Sequence, residues 1–471
     1  MSDDVEAADT LRSKAFESGR YLVARQLAGM VVRTAGILAI TRLIGPTEYG
    51  LFAGSVGLMA VLSTLAIFGI DVHLVRSGRD SPAAEHTAFT LLLGSSIILA
   101  VLAFVAAPGF GALLDDDDAV APFRVLALLL PLVVLWVPAR ARLERALAFR
   151  TVAAIELASD LIVYVVAVPA ALAGAGVWAP VAGFAARHAW LFGATVVAAG
   201  FRPRLRVDRD EAVAAFRFGS GYSAASWVTV AADLVNPLVI GGLLGPTAIG
   251  HVALASRLVE QLSAVKHATL RLATVALAKL ADQPDRLRRA HAEGMRIQVL
   301  GTAVPLAGAA FLGPWLIPLV FGDEWEPVPE LVSLLAVASV IGALFNLHST
   351  TLQVLGRNAP VVRLRAVQLV LLIGGAWTLA GPLGVVAYGW ARVGRSLGFV
   401  LIDRDVRSVF APRYLPALRW LVVLVPAMAS PWLPPELRPV LLVPAVAVLL
   451  SRSRRSELLV LVDQVRGRAR A

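Results

Sequence analysis

Apolar runs of about twenty residues recur along this chain, separated by short polar connections. A first series covers roughly residues 21–44, 49–70, 89–110, 123–138, 155–172 and 177–199. A second covers 222–244, 249–275, 297–321, 331–355, 367–380 and 385–402, and two further runs, 418–433 and 440–450, precede a basic tail. About twenty apolar residues carry a helix across a bilayer, so the pattern predicts an all-α polytopic membrane protein with about fourteen spans, or about twelve if the last two runs do not cross. The predicted parts are a cytoplasmic segment (1–20), two six-helix bundles (21–217 and 218–405), two additional helices (406–451) and a basic cytoplasmic tail (452–471).

The two series begin alike. Leu43-Ile44-Gly45-Pro46-Thr47-Glu48-Tyr49-Gly50-Leu51-Phe52-Ala53 returns 200 positions later as Leu243-Leu244-Gly245-Pro246-Thr247-Ala248-Ile249-Gly250-His251-Val252-Ala253, with six of eleven residues identical. Such self-similarity is the mark of a duplicated architecture. Glycine tolerates the left-handed conformation that ends a helix, and proline suits the first turn of the next. Each copy is therefore predicted to be a hairpin between two spans.

Charge then orients the chain. Lys and Arg concentrate in the connections after even-numbered spans and at both termini, whereas the connections after odd-numbered spans hold one, Arg438. By the positive-inside rule both termini are cytoplasmic and both Gly-Pro hairpins face outward. An even number of spans per half makes the halves parallel repeats about an axis along the membrane normal. The composition agrees: 58% of residues are hydrophobic and 16% charged. The net charge of +10 belongs to inner loops facing anionic lipid, which removes nucleic acid as a partner. The acidic first twenty residues have no apolar centre and are not a signal peptide.

Ionisable groups inside spans cost roughly 2.5–3.5 kcal/mol each on insertion scales, so each is a candidate for function. Arg33 lies near the middle of the first span, with Gln26, Gly29 and Gly36 on its side of the helix and Arg25 nearer the cytoplasm. Arg42 lies near the outer interface, within snorkelling distance of headgroups. The repeat offset carries Arg33 onto Asp233, so equivalent midplane positions hold opposite charges, read either as a structural ion pair or as a gate that an anionic substrate breaks. Arg257, Glu260 and Gln261 share a face of span eight, with Lys266, His267 and Arg271 toward the cytoplasm. Span ten presents Asn346, Ser349, Thr350 and Gln353, and Arg392 and Arg395 of span twelve are placed close to the inner interface. The resulting candidate substrate-binding residues are Arg25, Gln26, Arg33, Arg257 and Asn346, with Asp233 and Glu260 for gating or coupling. Arginine outnumbers carboxylate in this set, which suits phosphate or acidic sugars because guanidinium binds phosphate bidentately. A drug exporter coupled to cations would centre on carboxylates, for which Glu156, Asp160 and Glu260 are the candidates.

Enzymatic chemistry finds no support in the motifs. There is no cysteine, no P-loop and no His-Glu-x-x-His, and no cofactor or metal is expected. Asp-x-Asp occurs at 115–118, 208–210 and 403–405, always in connections too small to fold a nucleotide-binding domain.

Several stretches match a known family: Thr41-Arg42-Leu43-Ile44-Gly45-Pro46-Thr47-Glu48-Tyr49-Gly50-Leu51-Phe52, Gly69-Ile70, Leu74-Val75-Arg76 and Arg145-Ala146-Leu147-Ala148-Phe149-Arg150. To these are added Gly174-Ala175-Gly176-Val177-Trp178-Ala179, and Asp233 with Ile240-Gly241 leading to Leu244-Gly245-Pro246. With this topology the chain resembles bacterial polysaccharide flippases of the Wzx type, in the multidrug/oligosaccharidyl-lipid/polysaccharide exporter superfamily. The match is strongest through spans one to eight. The resemblance implies two six-helix bundles around a central cationic cavity in the bacterial cytoplasmic membrane. The implied substrate is an oligosaccharide on undecaprenyl pyrophosphate, moved to the outer leaflet by alternating access for surface polysaccharide synthesis. A lipid II flippase and a cation-coupled multidrug exporter remain as alternatives. Expected partners are membrane lipids, a polysaccharide polymerase with its chain-length machinery, and H+ or Na+ as a coupling ion.

Overall fold

The apolar runs fold as helix, because inside a bilayer each backbone N–H and C=O must be satisfied within its own segment. A computed structural model describes residues 2–76, 81–280 and 282–444, and their side chains except those of 2–31, 33, 221–229, 264, 265, 267, 268, 271, 272 and 275. Among the described residues there is no strand. Eight helical stretches are long and apolar enough to cross a membrane, and a ninth if the bent pair Asp117–Leu128 and Leu130–Arg145 counts as one span. The chain is a multi-pass membrane protein.

Packing has the inside-out character of membrane helices. On Pro82–Leu114 the large side chains Ile98, Val101, Leu102 and Val105 are exposed, while Ala100, Ala103 and Ala107 are buried. Lipid solvates the large residues, and the small ones let neighbouring helices approach.

Several predicted boundaries shift for local reasons. The first helix is continuous from Ser2 to Ile67 apart from Gly45, and no proline precedes Pro46 to stop it. The run 123–138, expected as one span, is bent by 49°. Pro131 and Pro138 start new helical segments there, each lacking the N–H that would continue the ladder. The twelfth run alternates between 3-10 and α geometry, as Gly384–Val386, Ala387–Gly394, Arg395–Gly398 and Phe399–Arg407. Leu415–Met428 has only 14 residues. Most of the run 440–450 and the tail 452–471 lie outside the described residues.

The chain divides into two compact units, 1–112 with 117–224, and 113–116 with 225–471. In each, the Gly-Pro hairpin has the same backbone. Gly45 has φ 76° and ψ 174°, and Gly245 has φ 78° and ψ −178°. That region is essentially restricted to glycine. A Cβ at Gly245 would meet no atom within 4 Å, so the requirement there is conformational and not steric.

What secures the hairpin differs between the copies. In the first unit, Glu48 accepts a hydrogen bond from the Val177 N–H at 2.8 Å and so caps the helix Trp178–Ala198. Its carboxylate lies where a Cβ on Gly176 would meet it at 3.2 Å. The second copy has Ala248 at that position, and His251 instead bonds the Glu324 carbonyl at 2.9 Å and packs edge-on to Trp325.

A buried ion pair ties down the opposite end of the first unit. Arg145 Nη2 bonds Glu85, and Nη1 donates to the Leu74 carbonyl at 2.9 Å, joining three helices. Removing one partner of such a pair strands a buried charge, at about 3–5 kcal/mol.

Two stability predictions follow from these contacts. Gly245→Ala is expected to cost about 1–3 kcal/mol despite open space, whereas Gly94→Ala, at a helical glycine with equally open space, is expected to be neutral or stabilising. Thermal unfolding in detergent reads both. Arg145→Ala is expected to lower the unfolding midpoint sharply, and Arg145→Met combined with Glu85→Gln to recover most of the loss.

Candidate functional site

Proline shapes the second unit's polar centre. Pro237 has no N–H to give the carbonyl of Asp233 four residues earlier, so the helix Arg209–Asp233 ends there and the chain passes through the π-helical turn Val235–Ile240. Wide turns of this kind recur at functional sites, and interrupted helices near the midplane are where transporters build binding sites. Asn236 steadies the break, its Nδ2 donating to the Ile249 carbonyl at 3.4 Å.

Charges gather around this break. Asp233 interacts electrostatically with Arg392, Glu260 and Arg395. Lys266, at the start of Ala264–Lys279, faces Arg392, Arg395 and Arg365. Arg395 in turn feels Arg392, Tyr388, Arg365 and Asp233. Arg257 closes the group through Glu260, at 3.8 Å. Tyr388 presents its ring to Arg392, whose guanidinium carbon is 5.9 Å from the centroid, a cation–π contact that leaves the guanidinium edge free to bind an anion.

Among the described residues the cluster thus combines Arg257, Lys266, Arg365, Arg392 and Arg395 with only Asp233 and Glu260. Two like charges about 6 Å apart repel by roughly 3 kcal/mol at an effective dielectric of about 20, so the surplus cations favour a bound anion. Arg257 and Glu260 have side chains 57% and 67% exposed. Charges so uncovered inside an apolar helix are affordable only where they face water and not hydrocarbon.

The expected site residues divide into three groups. Asp233, Glu260 and Arg257 come together in this cluster. Asn346, on Val328–Val354, is half-buried; its backbone carbonyl accepts from Thr350 and its Nδ2 has no hydrogen-bond partner. The side chains of Arg25, Gln26 and Arg33 lie outside the described residues, on the helix Ser2–Ile67. Gly36 makes room for Tyr164, whose ring would stand 2.2 Å from a Cβ at that position.

Sequence reasoning missed Lys266, Arg365, Arg392 and Arg395 as members of one site. Arg365 was expected in a connection, but the helix begins at Ala359 and includes it, and its charge acts on Lys266 and Arg395. Arg392 and Arg395 were placed at the inner interface, but the structure couples them to midspan Asp233. Their signal was the three-residue spacing that puts both on one face.

The carboxylates that would have served a drug exporter are occupied in the first unit. Asp160 pairs with Arg187 at 3.1 Å, and Glu156 lies 3.9 Å from Arg140. Among the described residues no group of three or more His, Asp or Glu could hold a metal ion.

Comparison with known proteins follows the same lines. The chain is 22% identical over 409 residues to the lipopolysaccharide biosynthesis protein WzxC of Escherichia coli K12, covering 84% of this chain and 79% of that one. It is 27% identical over 322 residues to the succinoglycan biosynthesis transport protein ExoT of Rhizobium meliloti, covering 66% of this chain and 63% of that one. The fold is similar to that of the lipid II flippase MurJ in an inward closed conformation, with a TM-score of 0.68 at 13% identity over 91% of this chain and 97% of that one. Residues 38–330 match the family described as polysaccharide biosynthesis protein. With more than half of its length in that match, the chain belongs to the polysaccharide biosynthesis protein family.

Proposed function

We propose that the protein is a flippase that moves an oligosaccharide linked to undecaprenyl pyrophosphate from the cytoplasmic to the outer leaflet by alternating access. The observation that carries this reading is the surplus of cations around the broken helix at Asp233. A pyrophosphate offers two adjacent tetrahedral anions, and guanidinium groups grip such oxygens in bidentate pairs. Asp233 and Glu260 hold the empty site together by partial neutralisation and release the arginines when the substrate competes for them. This is catalysis of movement and not of bond making, and the protein is not an enzyme. Similarity to WzxC and ExoT supports a polysaccharide precursor as cargo.

We assign Arg25, Gln26 and Arg33 of the first half to the same substrate on the sequence argument, and both termini to the cytoplasm from the distribution of basic connections. Polysaccharide polymerase and chain-length proteins are the expected partners at the outer face.

Deleting the gene while following lipid-linked intermediates in each leaflet tests the reading. Accumulation of a nonessential glycan lipid on the inner leaflet is the expected result. Lethality with trapped lipid II would transfer the protein to cell-wall synthesis, and altered drug sensitivity alone would make it an exporter. At the site, a charged hydrogen bond contributes roughly 1.5–3 kcal/mol. Arg395→Ala is therefore expected to weaken binding of the purified protein to the glycan lipid about ten- to hundredfold. Arg395→Lys should fall between, since it keeps charge but loses the fork. Arg33→Ala is expected to abolish complementation at normal protein level, and full complementation would remove Arg33 from the site.

A further inference from the structure

The second unit contains a buried polar seam that the cationic site does not use. His291, on Pro284–Phe321, is fully buried, and neither ring nitrogen has a hydrogen-bond partner. Its ring stands edge-on to His348 of the helix Val328–Val354, with centroids 4.7 Å apart. His348 Nε2 lies 2.6 Å from the Tyr414 hydroxyl, which donates to Asp403 Oδ1. Asp403 Oδ2 accepts from Arg407 Nε at 2.7 Å. Because the single Tyr414 hydrogen goes to Asp403, the Tyr414 oxygen accepts from His348. That assigns the His348 hydrogen to Nε2 and leaves Nδ1, buried and unpartnered, as the free base.

Unpaired polar nitrogens in an interior cost free energy, and natural interiors rarely keep them without a use. Two neutral imidazoles side by side, backed by a hydroxyl and a carboxylate, form an acceptor for one proton. The proton adds to His348 Nδ1, and the resulting imidazolium is balanced through Nε2–H and Tyr414 by Asp403. The second imidazole is then too close to charge as well. Phe345 and Phe410 pack on the pair and keep water out in this conformation, which holds both rings neutral. A conformation that opens the seam hydrates the rings and lets one of them charge.

Charged groups on the surrounding elements are engaged elsewhere. Arg288 pairs with Asp285, Arg296 with Glu293, and Arg363 with Asp405. Lys266, on the helix Ala264–Lys279, faces the arginine cluster, and the His267 side chain lies outside the described residues. Among the described residues, Arg407 is the cation that acts on His348. Two further buried groups without partners, Gln298 and Thr302, lie seven and eleven residues after His291 on the same helix face. They extend the seam about 16 Å along the helix.

We propose that His291 and His348 form a proton-binding site, tied to the surface through Tyr414 and Asp403, whose occupancy differs between the conformations of the transport cycle. The coupling ion is then H+ and not Na+. A ligand that binds one conformation better shifts the population toward it. The proposal rests on reading the chain as a transporter, but its test does not need the glycan lipid.

The chain has no cysteine, so spin labels attach only where cysteines are introduced. Labels at Arg357→Cys and Arg413→Cys, in the purified full-length protein in detergent, report the spacing of the elements around the seam. Acidification from about pH 8 to 5.5 is expected to redistribute that distance, since histidine charges in this interval. His291→Gln with His348→Gln is expected to abolish the response. Tyr414→Phe, which keeps the ring and removes the hydroxyl, is expected to move its midpoint by about one pH unit, a tenfold change in proton affinity. A distance that ignores pH, or a response unchanged in the double variant, overturns the proposal. Glycan flipping with no pH response would sink the proton site alone, and a pH response without flipping would sink the flippase reading alone.

Discussion

A charge in the hydrocarbon layer must find a countercharge or water, and much of this structure follows from how that demand is met. In the first unit it is met by pairing, Asp160 with Arg187, and beyond the apolar runs Arg145 pairs likewise with Glu85. Those pairs join separate helices, so the partners that neutralise a charge also hold the bundle. The second unit meets the demand incompletely. Among the described residues five cations share two carboxylates, Asp233 and Glu260, and a group that cannot neutralise itself needs water or an anionic ligand. The same logic separates scaffold from site without reference to any motif.

Helix breaks provide the geometry. Glycine makes the hairpins at Gly45 and Gly245, and proline makes the interior break at Pro237. The two devices act differently. A glycine in the left-handed region turns the chain and needs no other residue at the turn itself. A proline in a span leaves a carbonyl without its donor, which has to be satisfied by neighbours or by what the cavity contains. Asp233 owns that carbonyl and carries the charge that organises the surrounding arginines.

The repeat also shows how far duplication preserves structure. Backbone angles at Gly45 and Gly245 agree within about ten degrees, since only glycine occupies that region. Side-chain supports have diverged: Glu48 caps a helix start in one unit, and His251 holds a carbonyl in the other. A turn needs only its backbone conformation, whereas its supports depend on which neighbour lies within reach.

Membrane class, the helical runs and the paired hairpins were legible from the sequence, because apolar run length and Gly-Pro turns are local properties. Part of the candidate cluster was legible too. Asp233, Glu260 and Arg257 were singled out because a charge within an apolar run is conspicuous wherever the run packs. The rest was not. Arg365 lies just ahead of its run and Arg392 and Arg395 lie within theirs, and which helix faces Asp233 is not written in any of those runs. The His291–His348–Tyr414–Asp403 chain joins residues spread over more than a hundred positions, none conspicuous alone. By itself the sequence determined the all-helical membrane class and the two Gly-Pro turns, since those depend on neighbours along the backbone. Which charges meet was decided only by tertiary structure, because a pair forms between helices whose facing sides are set by packing.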